Sequence, residues 1–180
     1  MAHRDIRITP AGILFFLLFL GSVVAANWAL ENYGLIPVGF GLVAPAGVIF
    51  AGLTFTLRDL LQEASGRWAV LLAILGGGLV SALLSTDDGT KVAVASVIAF
   101  IASEAVDGAV YQPLRAGNWY AAVGVSNLAG LLIDSVLFAW LAFASFDAVP
   151  GLVVGKIWVT LASIIVLAVV RRGRTSTPTF

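Results

Sequence analysis

The chain has 180 residues, with 10 basic and 10 acidic side chains; 60% of its residues are hydrophobic and 11% charged. A soluble domain carries about 45–50% apolar and about 25% charged residues, so this chain cannot cover a water-facing surface of its size. An ordinary soluble enzyme, a disordered chain and a nucleic-acid binder are excluded together, the last because there is no basic excess to attract phosphates. With no cysteine, and with His3 of the N-terminal tail as the single histidine, the sequence offers no disulfide framework, thiolate metal site, Cys nucleophile or Ser–His triad. An integral membrane protein remains.

A helix crosses the hydrocarbon core with about 20 apolar residues, and six stretches meet that length. The first runs from about Ala11 to Leu30. Read as a cleaved signal peptide it would end near Val24-Ala25-Ala26, but its apolar run is long for that role. The second is read from Pro45 to about Ala64, because Pro fits a first helical turn and kinks a helix interior. Leu35–Ala44, with Pro37, Gly39 and Gly41, then becomes an irregular outer connection. The third span is Trp68–Leu84, with Gly76-Gly77-Gly78 in its middle. The fourth is Val92–Gln112, the fifth Trp119–Phe143 and the sixth Gly151–Val170, followed by a basic tail over 171–180. The expectation is an all-α integral membrane protein, a compact six-transmembrane-helix bundle forming a single domain with short connections.

The basic residues set the expected topology. With the N-terminus cytoplasmic, the inner segments hold Arg4, Arg7, Arg58, Arg67, Arg115, Arg171, Arg172 and Arg174, against Lys91 and Lys156 on the outer side. Both termini are then cytoplasmic, in a bacterial plasma membrane. Glu31, Asp87, Asp88 and Asp147 fall outside, and Trp28, Trp68 and Trp119 lie near span ends, where indole rings anchor at headgroups. Small residues four apart, Gly21, Ala25 and Ala29 on the first span and Ala95 and Ala99 on the fourth, let helices approach closely.

The informative residues are acids within the spans. Glu104 and Asp107 lie three apart on one face of the fourth span, and Asp134 lies mid-way along the fifth. Each carboxylate at a helix centre costs about 2.5–3.5 kcal/mol on insertion scales, so such residues face the interior and mark function by default. Ser96, Phe100, Ser103, Asp107 and Tyr111 recur at helical spacing, as do Asn127, Gly130, Leu131, Asp134 and Phe138. This mixture of hydrogen-bonding groups and aromatic rings suits a pocket for a planar polar ligand. Arg58, Asp59 and Glu63 fall in the inner third of the second span; Glu63 could equally pair with Arg67 at i,i+4. Lys156, one turn into the sixth span, could snorkel outward or join a site. Asn27 could be a packing hydrogen bond or a pocket donor.

These residues resemble a family. Pro45-Ala46-Gly47, Phe50, Leu53-Thr54-Phe55, Asp59, Glu63 and Gly66-Arg67 are similar to its second-span signature. Ser96, Ala99-Phe100, Ser103-Glu104, Asp107 and Leu114-Arg115 are similar to its fourth. Ser126, Asp134-Ser135, Phe138, Ala142-Phe143 and Lys156 are similar to its fifth and sixth. The family is VUT, the vitamin-uptake type of membrane transporter now mostly known as queuosine precursor transporters, and the resemblance covers about Asn27 to Lys156. Three places differ: Glu63-Ala64-Ser65-Gly66 replaces a common Glu-Val-Tyr-Gly, Ala122-Val123-Gly124 stands where many members have Arg-Asn-Asn, and the usual Gln before the fifth-span acid is Leu131, with Asn127 as the nearby amide.

The resemblance implies import of 7-cyano-7-deazaguanine, 7-aminomethyl-7-deazaguanine or a similar small heterocycle. The site it implies has Asp134 or Glu104 reading the base edge and Asn127 or Ser126 serving the ring carbonyl. Phe100, Phe138 or Tyr111 would stack, with Ser103 and Asn27 nearby. Asp107 and Asp59 would shape the path or carry charge, and Arg58, Glu63 and Lys156 would serve coupling or gating. No cofactor, metal or catalytic residue is expected, and no Walker A sequence is present for ATP. The expected partners are the substrate and the lipid bilayer, with a homodimer left open. The rival reading is the substrate-binding subunit of an energy-coupling-factor vitamin transporter, for which Ala25 and Ala29 would dock the partner. An aspartyl intramembrane protease is disfavoured, because the Tyr-Asp and Gly-x-Gly-Asp neighbourhoods are missing. A ligand-free scaffold gives no reason to keep mid-membrane acids.

Overall fold

The structure is a computed structural model that describes residues 8–85, 87–114, 117 and 119–175; the side chains of 87, 88, 119, 120, 123, 164 and 166–175 are not among those described. The element order is α1 (Pro10–Tyr33), β1 (Leu35–Gly39), β2 (Leu42–Pro45), α2 (Val48–Ser65), α3 (Arg67–Leu84), α4 (Asp87–Leu114), α5 (Trp119–Phe143) and α6 (Val149–Thr175). The helices close a ring in the order α1, α3, α4, α5, α6, α2, and α4 and α5 make the most extensive pair.

Local chemistry sets the first helix. The Thr9 side chain accepts from the Gly12 N–H at 2.9 Å, Pro10 occupies the first turn, and Gly34 closes the end at φ +61°. A hydroxyl cap followed by Pro needs no donor that the helix lacks.

The bundle is inverted relative to a soluble one. Small residues are buried, among them Ala69, Ala73, Ala95, Ala99, Ser103, Ser126 and Ala139. Large apolar residues point outward, among them Leu17, Leu72, Leu79, Leu132, Leu161 and Ile165. In lipid the outer face needs no polar cover and close helix contact rewards small side chains. Among the described residues, Pro10–Tyr33, Arg67–Leu84, Gly89–Leu114 and Gly124–Phe143 are long and apolar enough to cross a membrane, and Val149–Ser163 is a shorter apolar helix. Helix α2 carries Arg58, Asp59 and Glu63 inside its 18 residues. The chain is therefore an all-α membrane bundle with one small hairpin.

The glycines of α3 do not break it. A Cβ on Gly78 would lie 2.0 Å from Val97 of α4, and one on Gly77 would lie 3.1 Å from Val23 of α1. Their bare backbone is what lets three helices meet.

The reading of Leu35–Ala64 is corrected in two places. Leu35–Pro45 is an antiparallel β-hairpin in the register Leu35↔Pro45, Ile36↔Ala44, Pro37↔Val43, and Pro45 ends β2 instead of opening α2, which starts at Val48. Phe40 and Gly41 take φ +54° and +72°, the signs of a type I′ turn. Two prolines and a Phe-Gly turn hide this hairpin, since Pro is depleted in strands and Asn-Gly is the usual I′ pair. Of the residues that set the topology, Arg4, Arg7 and Arg115 lie outside the described residues, as does His3. The side chains of Asp87, Asp88, Trp119, Arg171, Arg172 and Arg174 do as well.

One close approach gives a test. A Cβ on Gly47 would sit 2.3 Å from the Ala26 carbonyl oxygen, whereas Gly21 has nothing within 4 Å. Gly47→Ala is expected to cost about 1–3 kcal/mol by overpacking α1 against α2. The thermal midpoint in detergent should fall for Gly47→Ala and hold for Gly21→Ala.

Candidate substrate cavity and the charged tie beside it

A partly open cavity of about 580 Å³, its mouth included, lies among α1, α2, α4, α5 and α6. Pro45, Gly47 and Val48 line its hairpin side, and Asn27, Thr54, Phe55, Ser96, Phe100, Asp134, Phe138 and Lys156 line its body. The helix ring explains the location: α3 stays outside the lining, while the other five helices each turn a small or polar face inward.

Lys156 is 1% exposed and Asp134 6%. The Lys156 ammonium donates to Asp134 Oδ2 and, at 3.0 Å, to Ser135 Oγ. Lys156 therefore does not snorkel outward; it forms a buried ion pair in the cavity wall. Burial of two charges is tolerated here because each has its opposite and the ammonium gains a hydroxyl acceptor. Phe55 lies beside it, with Lys156 Nζ 5.8 Å from the ring centroid and Arg58 Cζ at 6.0 Å. The Phe55 ring meets Phe100 at 5.2 Å, and Phe100 meets Phe19 edge-on at 5.7 Å. These rings form an apolar floor.

Asn27 is held at the other wall. Its Nδ2 donates to Ser81 Oγ at 2.6 Å, and Ser96 Oγ donates to its Oδ1 at 3.4 Å. Asn27 ties α1 to α3 and α4 by these bonds and also lines the cavity. Beside it, Ser22 and Thr54 share a buried hydroxyl contact of 2.8 Å.

A second charged cluster sits past the aromatic floor. Arg58 is buried on α2, and its guanidinium donates to Glu104 on α4 and, at 3.1 Å, to Asn127 Oδ1 on α5. Asp59 lies 3.0 Å away and Asp107 3.7 Å away. A planar five-donor fork is the side chain that can hold several acceptors in one plane. Residue order places this cluster one to two turns beyond the cavity. Ser96 and Phe100 precede Glu104 on α4, and Asn127 precedes Asp134 on antiparallel α5.

The structure thus divides the sequence-derived site in two. Asn27, Phe100, Phe138, Asp134 and Lys156 line the cavity; Arg58, Asp59, Glu104, Asp107 and Asn127 form the tie and do not. Ser103 and Ser126 are buried but outside the lining, and the Ser103 hydroxyl donates to its own helix at the Phe100 carbonyl. Tyr111 and Glu63 lie away from the lining, Glu63 on an exposed part of α2. Phe55, Thr54, Ser22 and Ser81 are the participants the sequence reading left out of the site. The signal for Phe55 and Thr54 was present, because they lie three and four residues before Arg58 and so share its face.

An inverted helix bundle around a polar, aromatic cavity is the architecture of a multi-pass membrane protein with room for a small molecule. A family model described as "Putative vitamin uptake transporter" matches residues 86–172, which spans α4 to α6 and includes Glu104, Asp107, Asn127, Asp134 and Lys156. Over those residues, just under half of its length, the chain is similar to that transporter family. No curated protein and no solved structure matches the chain.

Proposed function

We propose that the chain imports 7-cyano-7-deazaguanine, 7-aminomethyl-7-deazaguanine or a closely similar heterocycle across a bacterial plasma membrane, by alternating access, with both termini cytoplasmic. The observation that carries this reading is the Asp134–Lys156 pair set in a wall with Phe55, Phe100 and Phe138. A guanine-type edge presents a ring N–H and an amino group side by side, with a carbonyl next to them. Asp134 accepts from the two donors and the Lys156 ammonium donates to the carbonyl. The ligand edge replaces the contact the two side chains make with each other, so neither charge is left bare. Hydrogen bonds to charged groups contribute about 1.5–3 kcal/mol each, and the flanking rings hold the plane. Asn27, fixed by two serines, offers a further polar contact at the far wall.

Arg58 is the gating residue of this proposal. It joins α2 to α4 and α5 on the side of the cavity away from the hairpin, where a transport cycle has to open a path. Glu104, Asp107, Asp59 and Asn127 act through Arg58 and not on the substrate. The sequence reading left the base edge open between Asp134 and Glu104 and the ring carbonyl between Asn127 and Ser126; this proposal takes Asp134 for the edge and Lys156 for the carbonyl.

Of the two alanines that the energy-coupling-factor reading would use for docking, Ala29 is buried in the bundle and Ala25 is half-buried.

The test is queuosine in tRNA. The host is a bacterium that neither makes the precursors nor imports them, fed a low level of either 7-deazaguanine, with tRNA mobility read on a boronate gel. Rescue is expected with the native chain and loss of rescue with Asp134→Asn at equal membrane expression. Absence of rescue by the native chain would remove this substrate class. Rescue that a proton ionophore leaves unchanged would assign facilitated diffusion over proton symport.

A further inference from the structure

The hairpin Leu35–Pro45 does not project from the end of the bundle. It lies along α6, and three contacts fix its course. The Val43 carbonyl oxygen would be 1.9 Å from a Cβ on Gly151, the Val38 side chain would be 3.4 Å from one on Gly155, and the Phe40 ring stacks on Trp158 at 6.3 Å and 12°. Gly151, Gly155 and Trp158 are spaced i, i+4, i+7 on one stripe of α6. At about 1.5 Å per residue the hairpin tip reaches about 10 Å down the helix from Gly151. That is the level of Lys156, inside the bundle and not at its rim.

The side chains match such a depth. Leu-Ile-Pro-Val-Gly-Phe-Gly-Leu-Val-Ala-Pro contains no polar side chain. One face of the hairpin packs inward, where Ile36, Val38 and Ala44 meet Val48, Ala139 and Leu152. The other face is bare: Leu35 is 61% exposed, Phe40 81% and Val43 50%. That bare face continues directly into the outward residues Ile157, Trp158 and Leu161 of α6. Irregular backbone at membrane depth persists only where protein covers it or pairs it. Here the two strands pair with each other, Gly151 lets the hairpin backbone press against α6, and Gly155 leaves room for the Val38 side chain.

We propose that Leu35–Pro45 is a re-entrant hairpin that lies along α6 with its outer face embedded in lipid acyl chains. The partner of this surface is the hydrocarbon of the membrane, not water and not a second protein. Pro45, the last residue of the hairpin, lines the cavity, and so does Leu152, on which the hairpin's inner face packs.

The chain has no cysteine, so single-cysteine variants need no background removal. Phe40→Cys, Val43→Cys and Asp147→Cys would be reconstituted in proteoliposomes and exposed on both faces to a membrane-impermeant maleimide. Asp147, exposed in the α5–α6 connection, is expected to label fully. Phe40→Cys and Val43→Cys are expected not to label until the protein is denatured in detergent. Spin labels at the same positions should collide with oxygen in preference to a water-soluble nickel chelate. Val43→Cys keeps the Phe40–Trp158 stack and so guards against a misfolded Phe40 variant. Labelling of both hairpin positions at the rate of Asp147→Cys, or preference for the nickel chelate, overturns the proposal.

Discussion

Lys156→Met is expected to destabilise the folded protein by about 3–5 kcal/mol and to abolish uptake, because it leaves the Asp134 carboxylate buried without its cation. The ammonium is enclosed and donates to both Asp134 and Ser135, so no nearby solvent replaces it. The double variant Asp134→Asn with Lys156→Met removes both charges together. It is expected to recover most of the stability, since replacing a buried pair with uncharged groups is often neutral or stabilising, while uptake stays lost. Thermal midpoints in detergent, paired with uptake in vesicles, separate the two effects. Recovery of uptake along with stability in the double variant would show that the pair is structural only.

Arg58→Gln is expected to have the second-largest effect, a loss of about 3–5 kcal/mol with loss of transport. The guanidinium is the only cation described among Asp59, Glu104 and Asp107. Without it three carboxylates face one another, and the side-chain tie from α2 to α4 and α5 is gone. Glu104→Gln is expected to be milder, because Arg58 keeps Asp59, Asp107 and Asn127 as neighbours. Folded yield after size-exclusion chromatography, with the thermal midpoint, checks the order. Equal behaviour of Arg58→Gln and Glu104→Gln would contradict it.

How far the sequence carried this account depends on which interaction decides each feature. The helices were legible because the run of apolar residues that buries a helix in lipid is local in sequence. The carboxylates were legible as interior groups because their insertion cost is a property of each residue alone. What could not be read was pairing. Asp134 and Lys156 lie 22 positions apart on different helices, and Arg58 reaches Glu104 and Asn127 across 46 and 69. Nothing in residue type says which acid takes which cation, so the sequence left the base edge open between Asp134 and Glu104 and the ring carbonyl between Asn127 and Ser126. Lys156 was open between lipid headgroup and interior, and only the neighbouring Asp134 decides it. The hairpin was hidden by its own prolines, and the strands are held by α6, more than 100 residues later in the chain, not by local propensity.

The most direct test of the central claim is binding to purified protein. Isothermal titration of 7-cyano-7-deazaguanine and 7-aminomethyl-7-deazaguanine into the native chain and into folded Asp134→Asn reads the cavity without the rest of the transport cycle. Saturable binding by the native chain, weakened about 10–150-fold in Asp134→Asn, is predicted, matching a loss of about 1.5–3 kcal/mol for a charged hydrogen bond. Equal affinity in the two proteins, or no binding by the folded native chain, would contradict the account.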